Sequence, residues 1–272
     1  MARASFIQPV KVRPAAVAGR FYPAQAAELR RVIESFLGNV QLDNAAAPKA
    51  VIAPHAGYIY SGPIAASAHA RFASARQVIQ RIVLIGPSHY VSFEGLAVSS
   101  AQAFETPLGL TPVDTESVRR ICALPQVRVV DQAHAREHAL EVHLPFLQVV
   151  LGDFSIVPLM VSEASEEAVA EVIESLWGGP ETRFVISSDL SHYHDYAAAR
   201  DMDLVTSRSV EQLRPEDITE GRACGRTAIC GLLQAARKNG LRGRTVDLRN
   251  SGDTAGPRSE VVGYGAFVFE GA

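Results

Sequence analysis

The 272-residue chain has little of what marks the specialised protein classes. Its three cysteines, Cys122, Cys224 and Cys230, include no C-x-x-C pair and leave one unpaired, which argues against a disulfide scaffold and for free thiols in a reducing compartment. Neither sign of charge dominates. The 26 Lys and Arg against 29 Asp and Glu give a net charge of -3, too little positive field for nucleic acid or an anionic membrane. No apolar run approaches the roughly 20 residues of a membrane span. The N-terminus carries Arg3, Lys11 and Arg13 but no apolar core of signal-peptide length. The expectation is a soluble, cytoplasmic protein, and its 47% hydrophobic residues suffice for a large core.

What is present begins with Arg81–Tyr90, RIVLIGPSHY. Ile82 to Ile85 form an apolar run without polar alternation, as in a strand covered on both faces. The run breaks at Gly86-Pro87-Ser88 and the next residue is His89. Open α/β sheets place ligands just past such strand ends. The pattern recurs at Ala50–Ala53, followed by Pro54-His55, and at Phe184–Ile186, followed by Ser187-Ser188-Asp189-Leu190-Ser191-His192. If the three strands are neighbours, His55, His89 and His192 meet in one cleft. Imidazole is a common ligand for iron, copper and zinc, and a base near neutral pH.

Around these runs, residues 1–23 read as irregular, and Ala24–Leu37 has helical spacing closed by Gly38. Asn39–Pro48 reads as a linker. Gly62-Pro63 reads as a helix start, with proline at the first helical position. Gly95–Ser99 reads as a strand, Thr106–Asp114 as a proline-punctuated loop, Thr115–Cys122 as a helix and Val127–Val130 as a strand. A strand at Phe154–Val161 precedes a helix reaching Trp177, with Ser165, Glu166 and Glu167 at its start. Helices are expected at Ala197–Leu213, from Pro215, and at Cys224–Lys238, then strands at Thr245–Leu248 and Glu260–Phe269. Interleaved strands and helices indicate an α/β fold.

A second constellation is His134-x-x-Glu137-His138-x-x-Glu141-x-His143. On a helix, His134 and His138 would share one face with Glu137 as base, the inverted zinc-hydrolase arrangement. Alternatively Glu137 or Glu141 accepts a proton from a ligand imidazole and fixes its tautomer. Asp189 could orient His192 similarly, or cap the turn after its strand. Cys224 and Cys230 fall near a helix N-terminus, where the dipole favours thiolate and metal binding. For Cys230, deeper in the apolar stretch, a buried small hydrophobe is the simpler account.

Together, Ala15-Val-Ala-Gly-Arg-Phe-Tyr-Pro23, Ala53-Pro-His-Ala-Gly-Tyr-Ile-Tyr-Ser-Gly62, Gly86-Pro-Ser-His89, Glu137-His-x-x-Glu-Val-His-Leu-Pro-Phe146, Ser187-Ser-Asp-Leu-Ser-His192 and Cys224-Gly-Arg226 resemble the MEMO family (AmmeMemoRadiSam system protein B). That family is similar in fold to class III extradiol (LigB-like) dioxygenases. The resemblance implies one α/β domain over residues 1–272, built on a central, largely parallel or mixed sheet flanked by helices. It also implies a mononuclear metal, Fe(II) first and copper second, with zinc behind both. Carried over by motif, His55, His89 and Cys224 fall on the ligands, His192 on the dioxygenases' acid/base, and Asp189 within the same motif. Glu141, His143, His138, Tyr58 and Tyr90 fall beside the ligands or in the pocket wall. The family's Cys224 stands where ring-cleaving enzymes have a carboxylate. Two functions follow: a non-haem oxidoreductase, dioxygenase-like, acting on a small phenolic or oxygen-bearing substrate, or a non-catalytic metal-binding module working with radical-SAM and AMMECR1-like partners. A pocket filled by Tyr58, Tyr90 or Tyr193 would favour the second.

Overall fold

The uninterrupted apolar runs form the middle of the molecule. The structure, a computed structural model, describes residues 10–43 and 45–271. The expectations for Arg3 and for the rest of 1–9 lie outside the described residues. In chain order the first elements are β1 (Val12–Arg13), α1 (Ala26–Gly38), β2 (Ala50–Ala53), α2 (Tyr58–His69), β3 (Arg81–Pro87), β4 (Leu96–Val98), β5 (Ala103–Thr106) and β6 (Gly109–Pro112). Then come α3 (Thr115–Ile121), β7 (Val127–Val129), α4 (Asp131–Ala135), α5 (Leu144–Leu151), β8 (Ser155–Val161) and α6 (Glu166–Ser175). The chain continues with β9 (Thr182–Ser187), β10 (His192–His194), α7 (Tyr196–Glu211), α8 (Arg226–Lys238), β11 (Leu241–Asn250) and β12 (Val261–Gly271).

A nine-stranded mixed sheet runs in the order β10-β12-β2-β9-β3-β8-β4-β7, with β11 also paired to β12. Its centre, β2, β9, β3 and β8, is parallel. β12 is antiparallel to β2, and β4 to β8. Helices flank the sheet: α2 packs on β2, β11 and β12 and meets α1 and α5, α6 pairs with α8 over β9 and β3, and α7 lies on β11 and β12. Ile52, Val83, Leu84, Ile85, Val185 and Ile186 are wholly buried. Each such side chain stabilises the fold by about 1.5–3 kcal/mol relative to exposure. This is an α/β fold with a single large mixed sheet, as the strand pattern indicates. Among the described residues no helix is long and apolar enough to cross a membrane.

Several local expectations are corrected. Thr106–Asp114 is not a loop: β5 and β6 form an antiparallel hairpin, and β1 joins it in parallel, so 1–23 is not wholly irregular. Helix α2 begins at Tyr58, not at Gly62-Pro63, and Pro63 lies inside it. Gly62 serves packing there, since a Cβ would sit 2.5 Å from the Phe36 ring of α1. Pro215 opens only a three-residue 3-10 turn, Pro215–Asp217. Helix α8 begins at Arg226, which leaves Cys224 just outside it.

The register decides where the site lies. Ala53 pairs with Ser187, and Ile85 with Ile186, so β2 and β9 end level and β3 one residue further on. Two residues past the three ends stand His55, Asp189 and His89. The strands are neighbours, as the cleft requires, but the middle one presents an aspartate at that position. His192 lies further on and opens β10.

Candidate metal centre

His55 and His89 come from the strand ends, and a third imidazole joins them from elsewhere. His138 lies in the irregular turn between α4 and the 3-10 turn Glu141–His143. One nitrogen from each of His55, His89 and His138 lies within 4.8 Å of the others, close enough to hold one metal ion. The His89 and His138 rings stack, with centroids 4.7 Å apart and planes at 19°. His55 meets both edge-on, with centroids 5.1 and 5.4 Å away.

Glu137 holds two of the rings. Its buried carboxylate accepts the backbone N–H of His89 (2.6 Å), His138 (2.9 Å) and Ala139 (3.0 Å). His89 Nδ1 lies 2.9 Å, and His138 Nδ1 3.1 Å, from Glu137 Oε1. A carboxylate only accepts, so His89 carries its proton on Nδ1 and turns Nε2 outward. Burial alone would raise the Glu137 pKa, but hydrogen bonds from His138 and His89 hold it below the ordinary carboxylate range. Glu137 thus takes a proton-accepting place behind candidate ligands.

His55 is held differently. It is buried, its backbone N–H donates to Asp189 Oδ1 at 2.8 Å, and its Nδ1 lies 2.6 Å from Ser187 Oγ. Burial, then His89 and His138, push its pKa well below the usual value, so the ring is neutral. With Nδ1 engaged in His55 and His89, the free nitrogens are the Nε2 atoms. Three neutral-capable imidazoles with a carboxylate behind two of them fit a first-row transition metal.

Cys224 Sγ lies 3.3 Å from His55 Nε2 and accepts the Asp189 backbone N–H at 3.3 Å. Gly225 permits this approach: a Cβ there would stand 2.6 Å from the Ser187 carbonyl oxygen. Arg226 then ties the turn down, donating to Glu166 Oε1 at 2.6 Å. Burial, then the Asp189 carboxylate, push the Cys224 thiol up to about 12, outweighing any helix dipole two residues away. Burial also raises the pKa of Asp189. Cys230 is buried in α8 with its thiol toward the Pro215 carbonyl, away from the cluster.

The cluster floors an open cleft of about 550 Å³ whose wall includes Phe21, Tyr60, Tyr90, Tyr193 and Tyr264. His192 also lines it, and its Nδ1 lies 2.8 Å from the Leu190 carbonyl, which leaves Nε2 as the basic nitrogen. Asp189 lines the cleft floor rather than hydrogen-bonding to His192. Tyr90 and Tyr193 are 54% and 71% exposed, so they flank the cleft without filling it. Tyr193 holds a positive φ of 59°, uncommon for a bulky residue. Tyr58 is buried beneath, with its hydroxyl donating to the Val142 carbonyl at 2.7 Å.

His134 does not share a helix face with His138. Helix α4 ends at Ala135, and His134 Nε2 lies 3.1 Å from the Ala97 carbonyl in the core. This removes the geometry of the zinc-hydrolase reading. Glu141 contacts none of the three imidazoles. It is fully buried, pairs with Arg13, and accepts from Tyr22 and from the backbone N–H groups of Ala16 (2.8 Å) and Val17 (3.0 Å). Arg13 also donates to the carbonyls of His134 (2.9 Å) and Glu137 (2.5 Å). The pair thus straps the N-terminal segment under the turn carrying His138, and Phe21 packs on that ring at 4.6 Å. His143 reaches the site only through Ser187, whose Oγ lies 2.9 Å from its Nε2. Ser187 is the residue that sequence reasoning overlooks, and its place at a buried strand end was the available signal.

Fold and site together define an α/β protein with an imidazole cluster at the carboxyl edge of a mixed sheet. The chain belongs to the Memo-like protein family, whose profile matches residues 13–268. A MEMO1 family protein of Aquifex aeolicus is 34% identical over 271 residues, covering 96% of this chain and all (100%) of its own. Another, from Ignicoccus hospitalis, is 36% identical, covering 95% of this chain and 98% of its own. The crystal structure of an uncharacterized protein from Escherichia coli K12 shares the fold at a TM-score of 0.54 and 13% identity, over 79% of this chain and 98% of that one.

Proposed function

We propose that this protein binds one transition-metal ion through His55, His89 and His138, with Cys224 as a further donor, and performs oxidoreductase chemistry on a small phenolic substrate. The observation that carries the reading is the convergence of three imidazoles on the floor of an open, aromatic-walled cleft. Iron(II) is the first choice and copper the second, because both accept imidazole and thiolate together. The cation would draw the proton from Cys224, since a coordinating thiol is deprotonated outright. When bound, the metal supplies Lewis acidity and one-electron redox capacity.

The chain's own residues do the rest. Tyr60, Tyr90 and Tyr193 offer faces for an aromatic ring, and His192 Nε2 accepts a proton from its hydroxyl. Glu137 keeps the His89 proton on Nδ1. The open cleft supports this reading over a non-catalytic module serving radical-SAM and AMMECR1-like partners.

The test starts with metal. Protein purified without oxygen is expected to hold about one iron or copper ion, and His89→Ala to lose it; full retention in that variant overturns the site. Oxygen uptake with a catechol panel, abolished in His192→Ala while metal stays bound, is expected of the enzyme. No uptake with any catechol favours the non-catalytic alternative.

A further inference from the structure

Behind His55 lies a chain of hydrogen bonds that leads away from the cleft into the core. Ser187 Oγ donates to the Ala139 carbonyl at 2.6 Å, and it also contacts His55 Nδ1 (2.6 Å) and His143 Nε2 (2.9 Å). A hydroxyl has one proton and two lone pairs. The Ala139 carbonyl can only accept, so the single proton goes there. Both imidazole nitrogens must then donate to Ser187. His55 is thereby the Nδ1–H tautomer with its lone pair on Nε2, the nitrogen facing Cys224.

The next two rings are fixed in the same way. His143 carries its proton on Nε2, so its Nδ1 accepts from His69 Nε2 at 3.0 Å. His69 Nδ1 is buried with no hydrogen-bond partner among the described residues. Both rings are wholly buried, and His69 stacks on Phe146 with planes at 19°. Every bond in the chain has one direction, from His69 to His143 to Ser187 to Ala139, with His55 joining at Ser187. Leucine or phenylalanine at positions 69 and 143 would fill such space without burying four ring nitrogens. A polar chain in an apolar core is costly unless its hydrogen bonds do something specific.

We propose that Ser187, backed by His143 and His69, is a positioning residue of the metal centre that locks His55 in the tautomer presenting Nε2 to the cation. The inference rests on the metal-binding reading for its purpose, but the tautomer does not depend on it. In the opposite tautomer, two lone pairs would face each other between His55 Nδ1 and Ser187 Oγ, and a hydrogen would occupy the ligating position. The hydrogen bond made by one imidazole nitrogen decides what the other can do.

The experiment is nitrogen-15 NMR of histidine-labelled, metal-free protein at neutral pH. His55 is expected to show a protonated Nδ1 and an unprotonated Nε2, and His143 and His69 protonated Nε2 atoms. A His55 protonated on Nε2 overturns the proposal, and this measurement needs no variant. In Ser187→Ala, His55 is expected to become a tautomer mixture, and anaerobic iron(II) affinity to fall about 10- to 100-fold. Unchanged tautomer and affinity in a folded Ser187→Ala also overturn it. Wild-type protein that shows the expected His55 tautomer yet takes up no iron(II) or copper overturns the metal reading alone and supports the tautomer assignment.

Discussion

His89 and His138 are braced by a carboxylate, His55 by a hydroxyl, and the two supports differ in what stands behind them. Glu137 keeps a negative charge beside the cleft, compensated by three backbone N–H groups and two imidazoles. Ser187 is neutral, sits at the end of the central strand β9, and leans on two further neutral rings. The charged support stands behind the partly open rim, where His89 is 29% exposed, and the neutral one leads into the interior, where an unpaired ion would be expensive. One site therefore has an electrostatic half and a dry half. The electrostatic half is tied down by Arg13 and Glu141, the dry half by the sheet itself.

The largest effect is expected from cutting that tie. Arg13→Ala leaves the buried Glu141 without its counter-ion, and breaking a buried pair from one side costs about 3–5 kcal/mol. Urea unfolding should show that loss. In the folded fraction, histidine NMR signals of His89 and His138 should move while the His55 tautomer persists. Movement of all three rings together would mean that the two halves are not separate.

Acid should separate them next. Burial puts His69 at about 3 and His134 at about 4, and His55 and His143 well below their ordinary value. In the unfolded chain these rings protonate near pH 6.5. Below that pH the unfolded state binds protons that the folded state refuses, so stability falls as pH drops from about 6.5. Glu137 has the opposite shift relative to its charge. Its contribution is intact above the unfolded carboxylate value of about 4.3 and is lost only below it. Denaturation across pH 7 to 4.5 should therefore show a decline that comes from these four rings, three of them in the dry half, and His69→Leu should flatten it in part. An unchanged slope in that variant would assign the decline to other groups.

The smallest effect belongs to the far end of the dry half. His143→Leu leaves Ser187 bonded to Ala139 but frees one lone pair, and iron(II) affinity should fall by less than about tenfold. A loss as large as that of Ser187→Ala would make His143, not the hydroxyl, the controlling residue.

Much of the fold is legible because fully buried parallel strands leave uninterrupted apolar runs, as at Ile82–Ile85 and Phe184–Ile186. The β5–β6 hairpin is not, because its strands of four residues are partly exposed and carry glycine, proline and threonine. The start of α2 is hidden for the reverse reason: Pro63 is a plausible first residue, yet here it is tolerated inside the helix. In the site, His55 and His89 can be read from their strand ends. His138 cannot be separated from His134 by spacing alone, because a helix that stops at Ala135 and one that continues share the same histidine pattern. Ser187 is hidden since its partners at 55, 139 and 143 are distant in sequence. Glu141 is likewise defined by partners more than a hundred residues away.

The position of β9 between β2 and β3 has a consequence for measurement. Neighbouring strands stand about 4.8 Å apart, so His55 and His89 reach toward each other across a strand that is itself part of the core. A cation held by both ties β2 to β3 across β9, and opening one loop does not set it free. Occupancy is then linked to cooperative unfolding of the sheet, and a hundredfold excess of free ion over its dissociation constant adds about 2.7 kcal/mol to global stability. The melting temperature becomes a gauge of what this edge binds, readable before any reaction is known.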